Sequence, residues 1–188
     1  SSSTTGYSNT AFGSGALGNV TTGSSNVAVG AQAMDQNTTT HTGSTAIGHR
    51  AARYAASDYV TAVGYEAANN ATTSVVCVGH QAGKAATSAS GLTAIGYQAG
   101  LLTTTGGNNT FVGSQSGQAN TTGSSNVAIG LNALKSNTTG HTSTAVGAYA
   151  LDAQTTGYQN TAIGSSSLTA LTTGYLNFAA GTNAASAA

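Results

Sequence analysis

Charge is nearly missing from this chain. Only four of its 188 residues are basic and four acidic, or 4% in all, where an ordinary globular chain carries roughly 25%. Net charge is zero, so no basic footprint exists for nucleic acid or for an anionic membrane surface. Proline and tryptophan are absent. Disordered segments are kept in solution by charge and proline, and with both so scarce this is not their composition. No apolar run approaches the ~18 residues of a membrane helix, so this segment is not expected to insert into a bilayer. Cys77 is the only cysteine, which excludes an intramolecular disulfide. It stands where other parts of the chain put alanine (Ala62, Ala94) and reads as a small buried thiol. A chain that begins at Ser1 without methionine or signal sequence is expected to be a piece of a longer or processed product.

Glycine, by contrast, is abundant, with 26 copies. Eleven times a short apolar run ends in glycine, at Gly13, Gly30, Gly48, Gly64, Gly79, Gly96, Gly113, Gly130, Gly147, Gly164 and Gly181. The spacings are 17, 18, 16 and 15 residues, then 17 six times over. One coil reads Asn126-Val127-Ala128-Ile129-Gly130-Leu131-Asn132-Ala133-Leu134 and closes with Lys135-Ser136-Asn137-Thr138-Thr139-Gly140-His141-Thr142. Self-similarity at a fixed short period covers essentially all of residues 1–188, which predicts one solenoid domain.

Glycine density and the missing 3.6 period exclude helix. The residues before each glycine alternate and include β-branched side chains (Thr45-Ala46-Ile47, Thr161-Ala162-Ile163), as strands prefer. Seventeen residues at ~3.3 Å each make a perimeter of roughly 55 Å, too small for more than two or three short strands per coil. The prediction is all-β: a parallel β-solenoid or β-roll of about eleven 17-residue coils, stacked into a rod about 50 Å long. Ala128 and Ile129 are adjacent, so they point to opposite faces of the sheet, and both are apolar. A strand apolar on both faces must be buried on both. One face fills the thin interior, and the other requires a partner chain, so an obligate oligomer is expected. Counted from each glycine, Asp35 and Arg53, Arg50 and Glu66, and Lys135 and Asp152 share a place in neighbouring coils with opposite sign, which reads as stacked surface pairs.

The coil motif, Asn-Thr/Val-Ala-Ile/Val-Gly with alanine three residues on, resembles the head repeats of trimeric autotransporter adhesins. It is more similar in length to the Asn-Thr-Ala-Ile-Gly…Ala-Leu…Asn-Thr-Thr-Gly arrays of bacteriophage tail fibres. The adhesin resemblance implies a left-handed parallel β-roll with three chains to a rod, and either resemblance implies a place on a virion or cell surface outside the cell.

Catalytic chemistry is not expected. Asp35 and Asp152 lie seven coils apart, about 34 Å at strand spacing. His41, His49, His80 and His141 show no metal-ligand spacing and read as surface residues. Gly-Ser-Gly at 13–15 has neither a following helix nor a nearby lysine, so no phosphate loop is inferred and no cofactor is implied. Asn-x-Ser/Thr matches at Asn19, Asn37, Asn70, Asn108, Asn120 and Asn137 arise by chance in turns built from Asn and Thr.

One region breaks the monotony. Residues 50–84 hold five of the eight charges, Arg50, Arg53, Asp58, Glu66 and Lys84. The residue after the glycine there runs His49, Tyr65, His80, Tyr97. In register these form a ring ladder up one side of the rod, with Arg50, Gln81 and Gln98 beside it. Such a ladder either stacks on itself to stabilise the roll or offers a surface to a cell-surface glycan or protein receptor. Tyr7, Tyr158 and Tyr175, each after Thr-Thr-Gly, make a weaker candidate of the same kind. The leading expectation is a homotrimeric structural and adhesive fibre segment. Two alternatives stand beside it: a self-assembling extracellular filament, whose coil ends carry no charged cap, and an ice-binding solenoid. The last is disfavoured because Thr45 and Thr61 make one row of outward threonines rather than two.

Overall fold

The strand of every coil consists of the three residues before the repeated glycine. A computed structural model describes residues 5–36 and 40–186; the Asn37 sequence match and the extreme ends, 1–4 and 187–188, lie outside them. The strands are β1 (Thr10–Phe12), β2 (Val27–Val29), β3 (Thr45–Ile47), β4 (Thr61–Val63), β5 (Val76–Val78), β6 (Thr93–Ile95), β7 (Thr110–Val112), β8 (Val127–Ile129), β9 (Thr144–Val146), β10 (Thr161–Ile163) and β11 (Phe178–Ala180). They pair in chain order into one eleven-stranded parallel sheet. Each residue opposes its counterpart one coil on, Ala128 with Ala145 and Ile129 with Val146. The chain is a parallel β-solenoid, and among the described residues each coil carries one named strand, the rest being mostly turns and bends. Ten steps of ~4.8 Å make a rod roughly 48 Å long.

The alternation within the strand separates inside from outside. Its central residue is wholly buried in coil after coil (Ala28, Ala46, Ala62, Cys77, Ala94, Phe111, Ala128). The residue after it points outward: Ile47, Ile95, Ile129 and Ile163 are 39 to 45% exposed. The interior is so thin that two positions share its volume. In several coils whose strand offers alanine, the residue four places past the glycine is large and buried, as in Met34, Leu134 and Leu151. Where it offers Phe111, that place is Gly117, and a Cβ there would fall 2.5 Å from the phenyl carbons. Gly83 makes the same concession to Cys77. Close packing in the interior thus couples two residues six apart.

The repeated glycine is required twice over. Gly130 holds φ at +134°, and a Cβ on it would sit 2.6 Å from the carbonyl oxygen of Gly147 one coil away. No L side chain fits either condition. Beyond it the Ala133 N–H closes a turn onto the Gly130 carbonyl at 3.4 Å. Asn132 (φ 57°) and Leu134 (φ 51°) take left-handed backbone, a strained choice for non-glycine residues. Inter-coil bonds offset that strain: the Asn132 N–H donates to Ser114 O and the Leu134 N–H to Ala150 O, both at 3.0 Å.

Buried polar ladders run alongside the apolar core. The Asn126 N–H donates to Asn109 Oδ1 at 2.9 Å, and its carboxamide donates to Gly140 O at 2.8 Å. Its own Oδ1 accepts the Ser143 N–H at 3.0 Å. Thr104, Thr121 and Thr138 each donate a hydroxyl to the backbone of the next coil at 3.0 to 3.1 Å. The turn glycine of Asn-Thr-Thr-Gly has no positive φ at Gly123. It is there because a Cβ would collide with the Gly140 carbonyl.

Two substitutions test these assignments by urea denaturation. Gly130→Ala is expected to cost at least about 1–3 kcal/mol through backbone strain alone. Asn126→Leu leaves the buried Ser143 N–H without its partner, while Gly140 C=O keeps its bond from the Asn137 carboxamide, and is expected to cost about 1–3 kcal/mol.

Candidate functional site

The place after the repeated glycine leaves the sheet at a corner, so its side chain is exposed. In coils three to six this place is filled by rings, and the solenoid stacks them. His49 and Tyr65 lie 5.5 Å apart between centroids with planes 13° from parallel. Tyr65 and His80 lie 5.0 Å apart at 14°, and His80 and Tyr97 5.3 Å apart at 20°. Stacking turns the ring faces toward one another and leaves the edges pointing out. Tyr65 separates the two imidazoles, so His49 and His80 do not converge on a common ion.

The next place along the coil makes a second ladder, of polar side chains. Arg50 donates through Nε to Gln32 Oε1 at 3.0 Å, and its guanidinium lies 3.7 Å from Glu66 Oε1. Gln81 donates to Glu66 Oε2 at 3.0 Å, and Gln98 to Gln81 Oε1 at 3.1 Å. Gln118 donates to Gln98 Oε1 at 2.8 Å. Arg50, Gln81 and Gln98 are thus brought beside the rings, as the repeat predicts, and are bonded along the rod to one another. Lys84 closes the network with Nζ 2.6 Å from Glu66 Oε2. The hydrogen bond from Lys84 holds the Glu66 carboxyl below its ordinary value; burial opposes this, while Gln81 and the charges of Lys84 and Arg50 add to it.

Of the three expected stacked ion pairs, two form: Arg50 with Glu66, and Arg53 with Asp35 at 3.7 Å. Lys135 and Asp152 share a column but make no ion pair within 4.0 Å. The Asp152 carboxyl instead takes backbone N–H groups, its own and that of Ala153, and burial raises its pKa against their effect. His41 also departs from expectation, being 1% exposed rather than on the surface. The 18-residue coil places it in the buried column of the turn glycines. There its carbonyl accepts from the Asn26 carboxamide at 2.7 Å, as Gly140 does from Asn126. Asn120 and Asn137 are buried and inaccessible to glycosylation. Cys77 is buried as expected, its thiol pushed up to about 12 by desolvation.

A second ring ladder was only partly legible. Tyr158 stacks on Tyr175 at 5.1 Å and 2°, and His141 stacks on Tyr158 at 5.1 Å and 15°. Sequence reading linked the two tyrosines, through Thr-Thr-Gly, and set His141 apart as a surface residue; its own preceding glycine, Gly140, was the overlooked signal.

Among the described residues no group of three or more His, Cys, Asp or Glu could hold a metal ion, and no helix is long and apolar enough to cross a membrane. Compared with known proteins, the chain matches no family model, no curated protein and no solved structure.

The geometry makes two stability predictions. Tyr65 stacks on two rings and Tyr97 on one, at about 0.5–1.5 kcal/mol per contact, so Tyr65→Ala is expected to destabilise by about twice as much as Tyr97→Ala in thermal melts. Because the Glu66 pKa is depressed in the folded chain, its stabilisation is fully present above the ordinary 4.5 and is lost as pH falls through the lower folded value. The melting-temperature gap between the native chain and Glu66→Gln is therefore expected to be larger at pH 7 than at pH 3.

Proposed function

We propose that this chain is a structural and adhesive fibre segment. Three parallel copies form an extracellular shaft that holds host- or surface-recognition determinants away from a virion or cell. The observation that carries this reading is the outward face of the sheet. Every coil but the last places valine, isoleucine or phenylalanine there, directly before the glycine, in a half-exposed column that runs the length of the rod. A continuous apolar stripe on a flat sheet face is stable in water only when covered, and a second and third copy around an axis cover it without leaving an open side. The resemblance to adhesin repeats supports the same number of chains. The shaft requires no ligand on the ring ladder, whose faces and neighbouring amides are engaged with one another. Ice binding finds less support, since the Thr104, Thr121 and Thr138 hydroxyls are bonded to the next coil.

Sedimentation equilibrium tests the proposal. Three chains of 18.1 kDa are expected to sediment as about 54 kDa. Ile129 is 41% exposed on a single chain, so an isolated coil tolerates Ile129→Asp and the shaft does not. The variant is expected to sediment as one chain with its circular dichroism retained. A variant of three-chain mass would show that the outward face is not the interface.

A further inference from the structure

The irregular coils leave complementary shapes on the two flanks of the same strands. Five residues before the glycine, coils four to six carry Tyr59, Ser74 and Gly91 in succession. The two small residues past Tyr59 open a notch of about 160 Å³, floored by Val76 and Thr93 and walled by the tyrosine. One edge of the Tyr59 ring lies over Gly43, where a Cβ would fall 2.9 Å from Cδ1, and the side chain is 66% exposed. On the opposite flank, one residue past the glycine, Tyr65, His80 and Tyr97 stand at the same three heights and present their edges as a ridge one ring wide.

We propose that the ring ladder of each chain seats in the notch of the next chain around a three-fold axis, a contact that rests on the trimeric reading above. In a closed ring of parallel chains whose strands face the axis, strand direction circulates. The C-terminal flank of each strand then meets the N-terminal flank of its neighbour's strand without axial offset, in a head-to-tail contact that closes after three copies. His80 of one chain stands opposite Ser74 of the next.

Area and charge both favour this contact. The strand face is three residues wide, about 10 Å, and roughly 48 Å long. Its ~500 Å² is divided between two neighbours, whereas a stable interface takes about 800 Å² from each partner, so the flanks must contribute. The notch flank carries Asp58, which makes no ion pair among the described residues and accepts the Thr42 N–H at 2.8 Å. The ladder flank carries Arg50 and Lys84 against Glu66 alone, leaving one positive charge in excess. Opposite signs therefore meet across the seam at the coils where ridge and notch meet.

Cysteine cross-linking tests the proposal in a Cys77→Ala background, which puts in coil five the alanine that most other coils carry. Ser74 and His80 are six residues apart on one chain, roughly 20 Å when extended, well beyond the ~7 Å a disulfide can span. On oxidation the double variant Ser74→Cys, His80→Cys is expected to run as a covalent three-chain species in denaturing electrophoresis, and each single variant as one chain. Dimers formed by either single variant would indicate two-fold pairing and overturn the proposal. An uncrosslinked double variant of three-chain sedimentation mass would overturn the seating while sparing the trimer, and a one-chain mass would overturn both. Independently, Ser74→Phe fills the notch from an exposed position and is expected to raise the trimer dissociation constant at least ten-fold; an unchanged constant would also overturn the proposal.

Discussion

Everything in this molecule depends on the close approach of backbone to backbone at the repeated glycine. Where the Gly130 α-carbon meets the Gly147 carbonyl there is no room for a methyl group. That contact fixes the distance between coils at strand spacing, and strand spacing turns each position of the repeat into a column. Once a residue is held above its own counterpart, a ring becomes a stack, a carboxamide becomes a ladder, and opposite charges can pair. The rod is built less by its core, which is one side chain thick, than by hydrogen bonds that each coil makes to both neighbours.

The fold was legible because periodicity alone sets the strands, and the eleven strands fall on the residues before the glycines. The His49–Tyr97 ladder and two of the ion pairs were legible for the same reason, being matters of equal offset. Equal offset establishes a shared column, however, and not a contact. Asp152 shares Lys135's column yet turns to backbone N–H groups. Lys84 finds Glu66 from a different column because its side chain is long enough to cross. The polar ladders through Asn126 and Thr121 were hidden because a one-letter pattern does not tell which side of the coil a turn residue faces. His41 was misread because one inserted residue shifted it from an outer to an inner column.

The irregular coils gather the unusual features. Val60, Val75 and Leu92 occupy the column held elsewhere by asparagine or serine, so the polar ladder is interrupted across the two shortened coils and the one after them. The same stretch carries most of the charge, the first ring ladder and the notch. Val60 and Val75 lie in the two shortened coils, and Leu92 in a coil of ordinary length directly after them. The surface thus changes at the same coils as the interior.

The Phe111 coil shows that the repeats are not interchangeable beads. The phenyl ring occupies space left by Gly117 in its own coil and by Gly100 in the preceding coil, where a Cβ would lie 2.9 Å from Cδ2. That coil can therefore follow only a coil ending in such a gap. Because the Phe111 coil carries its own glycine at that place, Gly117, a copy of it could follow itself, whereas a coil with a large residue there, such as Leu134, could not precede it. A sequence that looks modular thus carries a directional grammar.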